Sequence, residues 1–222
     1  MGALHKGHLS LVSNSNNICG NTIVSIYINP TQFAEGEDLD TYPKKVQADL
    51  EKLSNYKVDC VFLPGNSEMY PEGINVGNYD NNLFGLLEGK NRPGFFKGVT
   101  TVVAKLFDIV EPTHAFFGMK DFQQFYIIKK MVGELNYPIQ VVPCPIIREE
   151  NGLAMSSRNK YLTENEFSVA ATIFKALESG KKLLKDGEIN VEKLRREITR
   201  FINSKPQFKI DYVSVASGDT LE

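Results

Sequence analysis

The chain has 222 residues, 42% of them hydrophobic and 23% charged, with a formal net charge of −2. That length and apolar share allow one sizeable core and a smaller second one. The near-neutral balance speaks against a nucleic-acid binder and a charged disordered tail, and no apolar run approaches the ~20 residues of a membrane span. The most basic stretch, residues 175–209, sets ten Lys or Arg against five Asp or Glu at helical spacing, which describes a solvated helix face. Cys19, Cys60 and Cys144 are odd in number and far apart, the pattern of reduced thiols in a cytoplasmic protein. The opening residues lack the charged and apolar regions of a secretory signal, and Lys6 stands where a myristoylation signal needs Ser or Thr.

In chain order, helical periodicity predicts helices over 8–14, 44–55, 99–110 and 121–135. Short β-branched and aromatic runs predict strands over 22–28, 58–63, 114–117 and 139–142. In the second helix Val46, Leu50 and Leu53 mark one apolar stripe. The alternation predicts an α/β fold over residues 1–147, a Rossmann-like parallel sheet with helices on both faces. Past Arg148 the pattern changes to charged amphipathic helices over 164–184 and 191–202, then a strand over 209–215. Residues 148–222 therefore read as a smaller α+β domain. In open α/β sheets ligands bind beyond the carboxyl ends of the strands. Asn29-Pro30-Thr31-Gln32-Phe33 follows the first strand there, and Gly118-Met119-Lys120-Asp121-Phe122-Gln123-Gln124 follows the third.

Three segments carry candidate chemistry, and a fourth carries none by itself. His5-Lys6-Gly7-His8 opens a helix, where two imidazoles and free N–H groups can converge on one anion and Gly7 lets a phosphate approach the backbone. The alternative is a pair of surface histidines beside a turn. Lys120 and Asp121 supply a cation for phosphate and a carboxylate for hydrated Mg²⁺, or else an N-cap Asp beside a solvated Lys. On that helix Gln123 and Gln124 cannot both face inward. Met155-Ser156-Ser157-Arg158-Asn159 offers two hydroxyls and a guanidinium to a polyphosphate, or is a linking loop with Ser caps. Residues 91–98, Gly- and Pro-punctuated, form either a lid or an ordinary connection. No Gly-x-Gly-x-x-Gly or P-loop is present, so an ATP site here has to be built differently.

Together, Met1-Gly2-Ala3-Leu4-His5-Lys6-Gly7-His8, Asn29-Pro30-Thr31-Gln32-Phe33, Met69-Tyr70-Pro71, Leu87-Glu88-Gly89, Arg92-Pro93-Gly94, Lys120-Asp121-Phe122-Gln123-Gln124 and Met155-Ser156-Ser157-Arg158-Asn159 resemble the pantoate–β-alanine ligase family of the nucleotidylyltransferases. The resemblance implies a cytoplasmic homodimer that activates pantoate with ATP as an acyl adenylate, then transfers the acyl group to β-alanine, releasing AMP and pyrophosphate. It implies catalytic roles for His5, His8, Lys120, Ser156, Ser157 and Arg158. ATP would be surrounded by Met1, Gly2, His5, Gly7, His8, Gly118, Met119, Lys120, Asp121, Ile147, Met155, Ser156, Ser157 and Arg158. Asn29, Gln32 and Gln124 would hold pantoate, with Gln32 near β-alanine as well, and Asp121 would face Mg²⁺.

Two positions depart from the family pattern, Met119 where a charged residue is usual and Phe95 where His is usual. Family members also carry a leading helix and strand and continue beyond Leu221, so the resemblance implies an incomplete copy of a longer polypeptide. Two other readings stay open on the sequence: another His-x-Gly-His nucleotidylyltransferase, and a non-catalytic remnant that still binds nucleotide.

Overall fold

The computed structural model describes residues 2–34, 36–43, 45–73 and 77–222. Met1, expected at the nucleotide, and Lys44, expected to open a helix, lie outside them. The chain clusters into two compact units, Met1–Ile146 and Ile147–Glu222. In the first, α1 (Lys6–Ile18) leads to β1 (Ile23–Ser25), α2 (Val46–Leu53), β2 (Cys60–Phe62) and the single turns α3 (Asn66–Met69) and α4 (Glu88–Asn91). Then come α5 (Phe95–Val110), β3 (His114–Gly118), α6 (Phe122–Glu134) and β4 (Gln140–Cys144). In the second unit, α7 (Glu164–Ala170), α8 (Thr172–Lys185) and α9 (Val191–Ile202) follow a 3-10 turn at Ser157–Tyr161.

Parallel strands require a crossover, and helices provide it twice. β1 pairs with β2, Ile23 opposite Cys60, across α2, and β3 pairs with β4, His114 opposite Gln140, across α6. This is the expected α/β class; no ladder joins the two pairs among the described residues. Val99, Val102, Val103 and Phe107 of α5 pack with Ile128, Met131 and Val132 of α6 into the larger core, over Met69 and Tyr70. A second cluster gathers Leu4, Val12, Val24, Ile26 and Leu53 beside the start of α1.

Three expectations need correction. The stripe on α2 is not Val46, Leu50 and Leu53: Val46 is 44% exposed, while Asp49 is only 1% exposed and faces inward with Leu53. Asp49 binds the peptide N–H of Leu4, which turns that face of the helix toward the core. The helix expected over 164–184 is interrupted at Ala171, whose ψ of −18° tightens the turn between α7 and α8. Residues 209–215 form no strand: they find no ladder partner among the described residues, and Ile210 and Val213 instead pack by their side chains on Ala176, Ile198 and Ile202.

Candidate active site

The start of α1 is organised by its own histidines. His5 is the N-cap, with extended backbone (φ −137°), and its Nδ1 accepts the N–H of Gly7 at 3.1 Å. His8, three residues on, returns the bond: its Nδ1 accepts the His5 N–H at 3.4 Å. This is a capping box built from two imidazoles. A ring nitrogen that accepts an N–H carries no proton, so a neutral His8 ring keeps its proton on Nε2 and can donate it. The rings lie 4.0 Å apart between centroids, tilted by 37°. Burial lowers the pKa of His8 from its ordinary value to about 3, with His5, Lys120 and Lys52 acting in the same direction. Near neutral pH His8 is therefore an uncharged donor.

The turn Pro30–Gln32 follows the β1 strand and is held from several sides. Asn29 is 3% exposed. Its Oδ1 accepts the Tyr70 hydroxyl at 2.8 Å, the Thr31 hydroxyl at 3.0 Å and the Thr31 N–H at 3.3 Å. Its Nδ2 donates to the Gly98 carbonyl at 3.2 Å and to Gln32 Oε1 at 3.4 Å. The carboxamide of Asn29, expected among the pantoate ligands, is thus committed to shaping the turn and orienting Gln32. Gly98 permits this, because a Cβ there would stand 2.1 Å from the Thr31 carbonyl oxygen.

The segment at 91–98 is tied to the same turn. Arg92 donates to the Gln32 carbonyl at 3.2 Å, forms a two-pronged pair with Glu37, and stacks its guanidinium 3.9 Å above the Phe95 ring. Phe95, the departure from the family's His, provides the face for that cation. Gln123, on the inward side of α6, fixes the preceding loop: its Nε2 donates to the carbonyls of Leu83 and Leu86, and its Oε1 accepts the Glu88 N–H. Between those anchors Leu87 holds φ 44°, a backbone region that strains a residue bearing Cβ. Gln124 is half-buried and makes no side-chain hydrogen bond among the described residues.

At the carboxyl end of β3, Gly118 leads into a 3-10 turn, Met119–Asp121. Asp121 occupies the N-cap position of α6 but its side chain caps nothing, which removes the capping explanation for it. Its carboxylate is 62% exposed and takes one ion pair, with Lys120 Nζ at 3.2 Å. Among the described residues no three His, Cys, Asp or Glu side chains gather as a metal cage. One exposed, uncapping carboxylate is what a Mg²⁺ ion needs when substrate phosphates and water supply its other ligands. Asp121 fits that role.

In the second unit Met155 donates its N–H to the Ile147 carbonyl at 3.0 Å. Ser156 caps the following 3-10 turn, its Oγ accepting the Arg158 N–H at 3.2 Å, so the capping alternative describes this hydroxyl. Ser157 is buried and Arg158 is exposed. Asn159 Nδ2 holds the loop through the Ala154 carbonyl at 3.1 Å. No helix in the described residues is long and apolar enough to cross a membrane.

Asp49, Lys52 and Tyr70 also bond to these segments, Asp49 and Lys52 to the Leu4 peptide and Tyr70 to Asn29, and none of the three stands out in the sequence. Tyr70 was visible only as part of a motif, and Asp49 was concealed in a helix read by its apolar residues.

The family model for pantoate–β-alanine ligase matches residues 1–222 of this chain. The chain belongs to the pantoate–β-alanine ligase family. Among its relatives, the pantothenate synthetase of Acetivibrio thermocellus is 48% identical over 222 residues, spanning 100% of this chain and 79% of that protein. The pantothenate synthetase of Pseudothermotoga lettingae is 45% identical with the same coverage. Among solved structures, the Thermus thermophilus pantothenate synthetase superposes with a TM-score of 0.96 at 39% identity, covering 100% of this chain and 80% of that one. The ligase from Francisella tularensis, complexed with β,γ-ATP and β-alanine, gives 0.78 at 38% identity over 90% of this chain and 75% of its own.

Proposed function

We propose that this chain is the ATP-dependent ligase that condenses pantoate with β-alanine, with His5, His8, Lys120, Gln32 and Gln124 as its principal site residues. In the first step a pantoate carboxylate oxygen attacks the α-phosphorus of ATP, the bond to the bridging oxygen breaks, and pyrophosphate leaves. In the second, the β-alanine amine attacks the acyl carbon, loses its proton, and AMP departs with the electron pair of the broken acyl–oxygen bond. Negative charge grows on the phosphates in the first step, so catalysis rests on positioned donors and cations.

The observation that carries this reading is the imidazole pair. With both Nδ1 atoms occupied by backbone N–H groups, the two rings are fixed at one helix start, where the dipole already favours an anion, and His8 offers its Nε2–H as a donor. Lys120 adds the cation. Gln32, its Oε1 steadied by Asn29, presents its amide N–H₂ to pantoate and later to β-alanine, and Gln124 is the second pantoate ligand. In the first unit Gly2, Gly7, Gly118 and Met119 line ATP. Asp121 would hold Mg²⁺, which supplies charge neutralisation on the phosphates when bound. The enzyme works as a cytoplasmic homodimer; its three thiols are all free, in keeping with a reducing compartment.

The test is isotope exchange between ATP and pyrophosphate. Exchange should require pantoate but not β-alanine, and AMP should accumulate with turnover only once β-alanine is added. Exchange without pantoate, or ADP as product, overturns the reading.

A further inference from the structure

The two histidines depend on the peptide that precedes them, and that peptide is gripped from outside its own helix. Leu4 is fully buried and follows Ala3, whose φ of 49° is unusual for a residue with Cβ. Its N–H donates to Asp49 Oδ1 at 2.7 Å, and its carbonyl accepts from Lys52 Nζ at 2.8 Å. Asp49 and Lys52 stand one turn apart on α2, 3.7 Å from each other. One helix turn therefore binds both polar groups of the residue before the N-cap.

This arrangement is costly for the fold. Asp49 Oδ2 is buried without a hydrogen-bond partner. A buried carboxylate with half its capacity unmet is destabilising, and an apolar side chain at that site is often neutral or better. Leu53 next to it packs with Leu4 and Val12, so an apolar residue would extend that cluster. What only an acceptor at position 49 provides is a fixed Leu4 peptide, and with it a fixed direction for His5 and His8.

We infer that Asp49, assisted by Lys52, is the positioning residue of the histidine pair and thereby acts on the adenylation step. The inference rests on the proposed ligase reading, and its test separates the two. Asp49→Ala frees the Leu4 N–H; Asp49→Asn keeps the acceptor; Lys52→Met, at a side chain that is 40% exposed, releases the Leu4 carbonyl and removes the cation beside Asp49. A misplacement near 1 Å costs on the order of 10²-fold in rate, so Asp49→Ala should lower the kcat of pantoate-dependent exchange by about that factor with little change in the pantoate KM. Asp49→Asn should recover most of it, and Lys52→Met should lose several-fold. Nitrogen NMR of the histidine rings provides a readout independent of activity: the Nδ1 resonances of His5 and His8 should shift in Asp49→Ala and stay in Asp49→Asn.

If Asp49→Ala does not fold, the Asn and Met variants carry the decision. Wild-type kcat and unmoved ring resonances in a folded Asp49→Ala or Lys52→Met overturn the inference, as does an Asp49→Asn as impaired as Asp49→Ala. Absence of exchange in the wild type would refute the ligase reading alone, since the ring resonances still report the positioning.

Discussion

Gly98→Ala and Gly133→Ala are the same substitution in two helices, and the structure requires opposite outcomes. In α6, a Cβ at Gly133 meets nothing within 4 Å, so only helix propensity changes and stability should rise by up to about 1 kcal/mol. In α5, a Cβ at Gly98 would lie 2.1 Å from the Thr31 carbonyl oxygen and 2.6 Å from its carbon. Ordinary contact begins at 3.4 Å, leaving a shortfall of 3.4 − 2.1 = 1.3 Å against backbone that cannot rotate aside. The turn has to move, and the bonds from Asn29 Nδ2 and Thr31 Oγ1 to the Gly98 carbonyl, 3.2 and 3.3 Å long, go with it. Overpacking costs about 1–3 kcal/mol and each of the two strained bonds roughly 1, against a propensity gain near 1, so a net loss of about 2–4 kcal/mol is expected.

For a chain of this size that loss corresponds to a Tm lower by about 4–16 °C. Because Gln32 rides on the displaced turn, the pantoate KM should rise on the order of tenfold, about 1.4 kcal/mol of binding. Circular-dichroism melts of both variants, with exchange titrated against pantoate, test this. A Gly98→Ala protein melting within a degree of wild type, with unchanged pantoate KM, would refute the close approach of α5 to the turn.

Lys120→Ala should slow exchange by about 10²–10³-fold, the typical cost of one preorganised charge-stabilising donor, with an unchanged circular-dichroism spectrum. The fold tolerates the loss because the ammonium is exposed and its ion pair is with the adjacent Asp121; near wild-type exchange would remove the residue from the site. His8 has a pKa depressed in the folded state, so its contribution to stability is complete above the unfolded value near 6.5 and is lost as pH falls toward about 3. Between pH 7 and pH 5 this group alone should remove about 2 kcal/mol. Its ring should keep the neutral NMR signature at pH 5, and His8→Gln should flatten the stability slope; a ring that protonates near pH 6.5 contradicts its burial.

Much of the architecture was legible because it follows from local pattern. Helix α9 spans 191–202 as its periodicity predicts, and all four strands expected in the first unit form, although β1 (Ile23–Ser25) stops three residues before the expected 28 and β3 is an aromatic run without a β-branched residue. The turns that follow β1 and β3 could be placed because each comes directly after a strand that the pattern predicts. Pattern failed where a tertiary partner decides. Asp49 is buried only because the Leu4 peptide, 45 residues earlier, needs an acceptor. Residues 209–215 have the composition of a strand, but a strand exists only beside another one. Gln123 and Gln124 are indistinguishable as letters; the carbonyls of Leu83 and Leu86 determine which of them turns inward.

The capping box at the start of α1 also settles how this site responds to soft divalent ions. Imidazoles are ordinary ligands of zinc, nickel and copper, and here two of them lie side by side with ring centres 4.0 Å apart. Here a metal could approach only at Nε2, and the displaced proton would have to move to Nδ1, directly against the backbone N–H of Gly7 or His5 that already points there. Tautomerisation would set donor against donor and break both caps. The pair is thus poorly suited to chelation without any steric guard, while its N–H groups suit phosphate oxygens. The hydrogen bonds that begin the first helix thus bias its imidazole pair toward anions and away from soft cations.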